Sequence, residues 1–599
     1  MYRAPLRDMQ FVLHELLGDE RQAALYRSID YSGELADTVL EEAAKFAENV
    51  LEPLNKTGDQ EGARWTPEGV RMPKGFREAY AAYAAAGWSQ LGVSEAEGGQ
   101  GMPLLLNTAV EEIMFAANMA FYLGTSLGKG EVEAISASGS AAQKALLLPK
   151  LVSGEWMGTM NLTEAQAGSD LALIRTRAVA DGDPDGGRYR LFGQKIFITY
   201  GDHDMADNIV HLVLARIDGA PPGVRGISMF FVPKYLINAD GTLGKPNDLR
   251  CISIEHKLGI HASPTCVMSY GEKEGAIGYL LGEPNTGLAH MFIMMNAARL
   301  SVGVQGIAQS ERALQQALDW ARNRLQGKPP GDPSPGPLAI INHPDVKRML
   351  LSMKARTEAM RALAYTVAMA LDIAHRDPDE TVRAAALIRG ELLIPIVKGW
   401  CTETGIQVAS TGVQVHGGMG FIEETGAAQT LRDVRITAIY EGTTAIQSND
   451  LVGRKLGRDR GQGMNELIRG LLEDLNGLRA NDVDTKSVKN SAIEALTLLR
   501  DVSESLLQLH TQAPARALAV SVPYLELCGL IVSGALMAKS AAVAAMALPK
   551  AAGSDAVFYQ AKLRTARFYA DQVLPAAYGL ARVVKSGAAS VFETDASTL

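Results

Sequence analysis

A mainly α-helical chain with a small central antiparallel β-domain and an additional C-terminal helical domain is the fold class this sequence predicts. Three observations carry the prediction. Apolar residues recur at three- and four-residue spacing through most of the 599 residues, which is the period of an amphipathic helix. Between residues 158 and 279 that period gives way to short β-branched and aromatic runs broken by turn residues. After a polar stretch at 457–464, helical spacing resumes to about residue 591.

The elements follow in order. Residues 8–151 read as helical, most clearly at 34–54 and 75–86, with a loop at Gly98, Gly99 and Gly101 and a helix closed by Pro149. Strands are expected at 195–199, 209–215, 227–232, 251–255 and 266–269, with turn signals at 181–187 and 218–223. Helical spacing then runs from Gly287 to Leu325, long enough for the spine of a bundle. A Pro-rich loop at 329–337 interrupts it, and more helices continue to about Leu456 with a glycine turn at Gly417-Gly-Met-Gly420. The expected domains are an extension at 1–33, a helical domain at 34–157, the β-domain at 158–279, a four-helix bundle at 280–456 and the extra helical domain at 465–599.

Composition bounds the function. A 47% hydrophobic content supplies a large core, and at roughly 150 residues per domain the length suggests about four structural units. The net charge of −9 argues against a nucleic-acid partner. Residues 456–599 carry 15 Lys+Arg against 14 Asp+Glu, so the C-terminal region is no basic tail. Cys251, Cys266, Cys401 and Cys528 lie far apart, which suits a reducing cytosol and forms neither a disulfide framework nor a zinc ribbon. The N-terminus carries charge where a secretory signal would be apolar. The most apolar long stretch, 525–548, contains Glu526 and Lys539, so it reads as a buried helix rather than a membrane span. A soluble, cytoplasmic protein without a metal site is expected.

Several short motifs carry chemical character. Thr163-Glu-Ala-Gln-Ala-Gly-Ser-Asp170 is rich in small residues and exposed amides, the make-up of a phosphate- or flavin-facing loop. Alone it reads equally as a strand-to-turn connection. Lys195-Ile-Phe-Ile-Thr-Tyr-Gly201 places Phe197 and Thr199 at alternate positions, hence on one side of a strand. Such a pair suits the edge of an isoalloxazine ring, or simple core. Gln414-Val-His-Gly-Gly-Met-Gly420 removes side chains where backbone could approach a ligand, or caps a helix. In Ile439-Tyr-Glu-Gly-Thr-Thr444, Glu441 stands in an apolar context that should raise its pKa, as a carbon-acid base requires. A satisfied loop carboxylate is the alternative. His256 and His261 show no metal geometry and read as structural.

Taken together, in this order and at these spacings over residues 34–455, the segments resemble the acyl-CoA dehydrogenase family of flavoenzymes. The resemblance implies FAD as cofactor, an acyl-CoA thioester as substrate and electron-transfer flavoprotein as electron acceptor. Glu441 then corresponds to the base that removes the α-proton. The alternative family slot for the base, on the long bundle helix just before an arginine, is Ala298 ahead of Arg299 and is empty. Phe197-Ile-Thr199 resembles the family's Trp-Ile-Thr strand, with Phe for Trp and Thr199 as partner of flavin N5. Thr163 and Ser169 correspond to flavin and pantetheine contacts, although Ala165 and Gln166 replace the family's Pro-Gly. Arg324 matches the arginine that grips the FAD pyrophosphate from a neighbouring subunit, suited by its planar fork. Gln414, Gly417 and Gly418 match the adenosine-side loop, and Thr443 follows the base onto the cofactor. Arg299 matches the arginine near CoA, with Asn296 where the family has aspartate.

The first residues and the last 140 or so resemble the family's long bacterial branch, which implies a substrate that is either methylthiopropanoyl-CoA or a short- to long-chain fatty acyl-CoA. The added C-terminal domain implies a homodimer, with a tetramer as the alternative. Two rival readings are a DNA-associated flavoprotein paralogue and an acyl-CoA oxidase. Met291, Met294 and Met295 are candidates for an acyl pocket or for core.

Overall fold

The computed structural model of the chain describes residues 2–18, 20–29, 31–182, 187–238, 240–479 and 482–599. It divides into two compact units: Met1–Glu42 with Leu104–Ala116 and Arg299–Leu599, and Ala43–Pro103 with Ala117–Ala298.

The first unit is helical. Its principal elements are α1 (Leu6–Gln10), α2 (Leu104–Ala117), α3 (Gly287–Asn323, from Arg299 onward), α4 (Pro344–Arg376), α5 (Glu380–His416), α6 (Thr444–Asn449), α7 (Gln462–Gly477), α8 (Val483–Gln512), α9 (Ser521–Ala547) and α10 (Gly553–Phe568). Side-chain caps set several starts: Asp379 accepts from the Thr381 N–H at 2.8 Å, and Asp482 from the Thr485 N–H at 2.8 Å. Each satisfies an N–H that the first helical turn leaves unpaired. The linker expected at 457–464 is shorter, because α7 already begins at Gln462. The apolar stretch expected to be a buried helix is α9, and 19 of its 27 residues are buried. It packs closely on α5: a Cβ at Gly529 would lie 2.2 Å from Trp400 Cγ, so only glycine fits there.

The same unit buries a charge cluster. Arg361 of α4 bonds Glu112 of α2 at 2.6 Å, Glu311 of α3 at 2.9 Å and Asp8 of α1 at 2.5 Å. Lys562 of α10 reaches Asp8 at 2.5 Å and Glu358 at 2.9 Å. Charges this deep persist only when paired and hydrogen-bonded.

The second unit holds the sheet. Its strands are β1 (Arg64–Thr66), β2 (Gly69–Arg71), β3 (Trp156–Asn161), β4 (Arg177–Ala180), β5 (Arg188–Thr199), β6 (Asn208–Ile217), β7 (Ser228–Pro233), β8 (Tyr235–Ile237), β9 (Leu243–Pro246), β10 (Leu249–Ile254), β11 (Thr265–Tyr270) and β12 (Ala276–Leu281). Eight form one sheet in the order β10-β11-β5-β12-β7-β6-β3, with β4 pairing β5 and β6. The expected antiparallel domain is in fact a mixed sheet, because β3 and β4 both run parallel to β6. The long connection from β3 to β6 permits this pairing.

Two further elements differ from expectation. The stretch read as wholly helical contains the β1–β2 hairpin, turned by Pro67 and by Gly69 at φ 128° and anchored where Trp65 Nε1 donates to the Cys251 carbonyl at 3.0 Å. Pro149 does not close its helix, which runs Ala141–Val152. Near a helix end the proline removes a single ladder bond. Residues 183–186 of the turn expected at 181–187 lie outside the described residues. Met291 and Met294 are buried in a core cluster with Trp156 and Leu281, and Met295 packs against it.

Candidate active site

The candidate residues fall in both units.

In the sheet unit, the chain leaves β3 through Thr163 and bends back on itself, with reciprocal backbone bonds between Glu164 and Ala167 at 3.0 and 2.9 Å. Glu164 is the buried pin of this loop. One carboxylate oxygen accepts from Lys195 Nζ at 2.9 Å and Thr176 Oγ1 at 2.6 Å, and the other from the Arg175 N–H at 2.7 Å. Burial pushes Glu164 up, but Lys195 and these donors outweigh it and bring its pKa down to about 2. Burial is also the main influence on Lys195, pulling it down to about 8 against the pull of Glu164. Asp170 caps the next turn, accepting from the Ala172 N–H at 2.9 Å. Ser169 is left exposed at the tip.

Lys195 is fully buried, yet Phe197 two residues later is 58% exposed. Strict alternation would put both on one face. The difference is a β-bulge: Lys195 pairs with Met268 and Ile198 with Cys266, so two residues of β5 oppose one of β11. Phe197 takes φ 59° within it. A bulge re-aims side chains, and here it turns a large aromatic ring out of the core beside Thr199, whose carbonyl is held by Thr159 Oγ1 at 2.7 Å.

In the helical unit, Glu441 stands between a 3-10 turn (Arg435–Ala438) and α6. It has φ 54° and is followed by Gly442 at φ 90°, two successive left-handed residues, a conformation that needs support from its surroundings. Gln447 supplies some of it, donating to the Glu441 carbonyl at 3.1 Å and the Gly442 carbonyl at 3.3 Å. Thr443 caps α6 through the Ile446 N–H at 3.3 Å, and the Tyr440 hydroxyl donates to Gln305. Burial raises the pKa of Glu441, while Lys398 and Arg299 oppose the rise. Arg299, 5% exposed, is held by Asp450 at 3.1 Å. Lys398 was not among the residues singled out from sequence. The available signal was a lone cation in the apolar run from Leu392 to Trp400.

At the end of α3, Arg324 is exposed, with its N–H bonded to the Trp320 carbonyl at 2.9 Å. Trp320 stacks on His416 with ring centroids 5.3 Å apart. That contact brings the end of α3 to the last turn of α5, which carries Gln414, and to the turn after it, where Gly417 and Gly418 lie and where Phe421 is 86% exposed. Asn296 sits on α3 within the sheet unit's share, three residues before Arg299.

Gly168 and Gly418 have ordinary φ and nothing within 4 Å of a built Cβ, so the chain's own packing does not require glycine at either. Bare backbone facing open space suits close approach of a ligand. Arg299 Nε and Gln447 Oε1 are buried without hydrogen-bond partners among the described residues. In the sheet unit the outward Phe197 and the bare backbone at Gly168 suit contact with a flavin, and in the helical unit Gly418, Arg299 and Gln447 suit contact with a nucleotide or a thioester.

Comparison with known proteins agrees. Residues 34–155, 159–271 and 285–456 match the N-terminal, middle and C-terminal domains of acyl-CoA dehydrogenase, and residues 466–595 match an acetyl-CoA dehydrogenase C-terminal-like domain. The chain is 46% identical over 573 residues to the 3-methylmercaptopropionyl-CoA dehydrogenase of Ruegeria pomeroyi, covering 96% of each chain. It is 33% identical over 610 residues to the broad-specificity linear acyl-CoA dehydrogenase FadE5 of Mycobacterium tuberculosis, covering 99% of each. Its fold matches an acyl-CoA dehydrogenase from Bacillus anthracis solved with FAD, with TM-score 0.73, 22% identity and coverage of 95% and 90% of the two chains. The chain belongs to the acyl-CoA dehydrogenase family, FAD-dependent oxidoreductases that act on acyl-CoA thioesters.

Proposed function

We propose that the chain catalyses α,β-dehydrogenation of an acyl-CoA to the trans-2-enoyl-CoA, with Glu441 removing the α-proton. The observation that carries this reading is the half-buried carboxylate of Glu441, held in a left-handed bend and raised in pKa by desolvation against the pull of Lys398 and Arg299. A base for a weak carbon acid needs such a raised pKa. FAD, when bound, supplies the acceptor for the β-hydride.

The remaining roles belong to residues of this chain. Thr163, Ser169, Phe197 and Thr199 hold the flavin, with Ser169 also meeting pantetheine. Arg324, Gln414, Gly417 and Gly418 hold the pyrophosphate and adenosine portion across a homodimer interface. Thr443 contacts the cofactor, while Arg299 and Asn296 orient the CoA. The Glu441 backbone N–H donates to the thioester carbonyl and stabilises the enolate as it forms. Among substrates, a short thioether acyl-CoA of the methylthiopropanoyl type is favoured, supported by the 46% identity to a relative named for that substrate. Linear fatty acyl-CoAs are the second class, supported by the FadE5 likeness. Electron-transfer flavoprotein is the proposed acceptor, and the proposed location is the cytoplasm.

The test is anaerobic absorption spectroscopy during titration with acyl-CoAs from short chains through methylthiopropanoyl to long fatty acyl. Bleaching by one class supports the reaction and ranks the substrates. Glu441→Gln should bind FAD and acyl-CoA without bleaching, and full turnover by that variant would move the base elsewhere. Peroxide formation in air would assign an oxidase instead. A yellow protein that no acyl-CoA reduces would favour the DNA-associated paralogue.

A further inference from the structure

Lys398 lies in the middle of α5 with no exposed surface. Its ammonium donates to the Gly442 carbonyl at 2.6 Å, the same carbonyl that Gln447 reaches from α6. Burial is the largest influence on this lysine and draws its pKa down to about 7, while Glu441 and Glu403 favour its charged form and Arg299 opposes it. The surrounding charges come from several elements. Arg299 on α3 is paired with Asp450, and Glu403 on α5 accepts from Thr444 Oγ1 at 2.6 Å. Glu403 also faces Glu526 of α9, and Tyr440 faces Asp433. A cation placed here at such desolvation cost needs a function that a hydrophobic side chain could not serve.

The backbone it grips supplies one. Glu441 and Gly442 are both left-handed, so the direction of the Glu441 side chain depends on what fixes the two peptide planes. Lys398 and Gln447 fix them by converging on their carbonyl oxygens. We propose that Lys398 is a positioning residue for the base: it holds the bend that presents Glu441, and its positive charge favours the carboxylate over the acid. This rests on the reading of Glu441 as the base.

Lys398→Met and Lys398→Gln test it, with FAD content and circular dichroism as folding controls. Two pH profiles are measured. One is that of kcat/KM. The other is exchange of the α-proton into D2O from an acyl-CoA whose β-position carries no transferable hydrogen, which reads the base without any net oxidation. Both variants should bind FAD, and the acid limb of both profiles should move up by about one pH unit or more, as expected for loss of an opposite charge close by. The glutamine variant, which still has an N–H for the Gly442 carbonyl, should exchange faster than the methionine variant above that limb. An unmoved acid limb with lower amplitude would leave Lys398 a purely structural residue and overturn the proposal. So would failure of both variants to fold or to retain FAD. If Glu441→Gln keeps exchanging the α-proton at the parental rate, the base assignment fails instead, whatever the lysine variants do.

Discussion

Lys195 and Glu164 form a buried ion pair, 2.9 Å apart, that ties the loop carrying Thr163 and Ser169 to the strand carrying Phe197 and Thr199. The pair works as a clamp because Lys195 also donates to the Leu162 carbonyl at 2.9 Å and Glu164 gathers the N–H groups of Arg175 and Thr176. Lys195→Met should leave Glu164 buried without its cation and cost about 3–5 kcal/mol of stability. Urea unfolding measures the loss, and FAD content should fall with it. A variant as stable as its parent would mean the backbone donors alone suffice.

Two buried glutamates of the sheet unit should give opposite pH signatures. Glu164 titrates at about 2 in the folded chain, so its contribution is present above the unfolded value of about 4.3 and is lost as pH falls toward 2. Glu131 is fully buried over the bare backbone of Gly158, neither oxygen has a hydrogen-bond partner among the described residues, and burial raises its pKa. Its contribution is full below about 4.3 and is lost as pH rises. Glu131→Met should therefore stabilise by about 1–3 kcal/mol at pH 8, and by less at pH 4. Thermal unfolding of parent and variant across that range decides it, and a gain independent of pH would contradict the assignment.

Arg361 is the hub of the charge cluster in the helical unit, touching Asp8, Glu112 and Glu311. Arg361→Met should strand Glu112, which is fully buried, and cost about 3–5 kcal/mol. Chemical denaturation reads the loss directly. Limited proteolysis should show the residues before Gly33 released first, because Asp8 of α1 loses its pairing with Arg361.

Arg324→Ala should weaken FAD binding by about tenfold to a hundredfold, the worth of a hydrogen bond to a charged group, with little change in unfolding because Arg324 is exposed. Equilibrium dialysis of the flavin reports it. Undiminished affinity would remove Arg324 from the proposed pyrophosphate contact.

Much of this was legible in the sequence because it rests on local chemistry. The long helix from Gly287, the glycine turn at 417–420 and most of the strand cores announce themselves by period and composition. What was not legible depended on partners distant along the chain. Strict alternation along β5 would put Lys195 and Phe197 on one face, and only the extra residue opposite β11 separates them. The β1–β2 hairpin is too short to assert a period of its own, and it forms where Trp65 finds the Cys251 carbonyl. Lys398 could not be picked out from the sequence because its partner, the Gly442 carbonyl, belongs to a turn more than forty residues away.

The contact between Asp8 and Lys562 sets an order on biosynthesis. At about 5–20 residues per second, roughly half a minute to two minutes separate the two residues on the ribosome. Throughout that interval α1 lacks its cation from α10, and the surface that α9 will cover stays open to solvent. The helical unit is thus closed last by its C-terminal helices, while the sheet unit, complete by Ala298, is free to fold during translation. Slow release or truncation of the C-terminal region should therefore yield aggregation of the nascent chain rather than a smaller active enzyme.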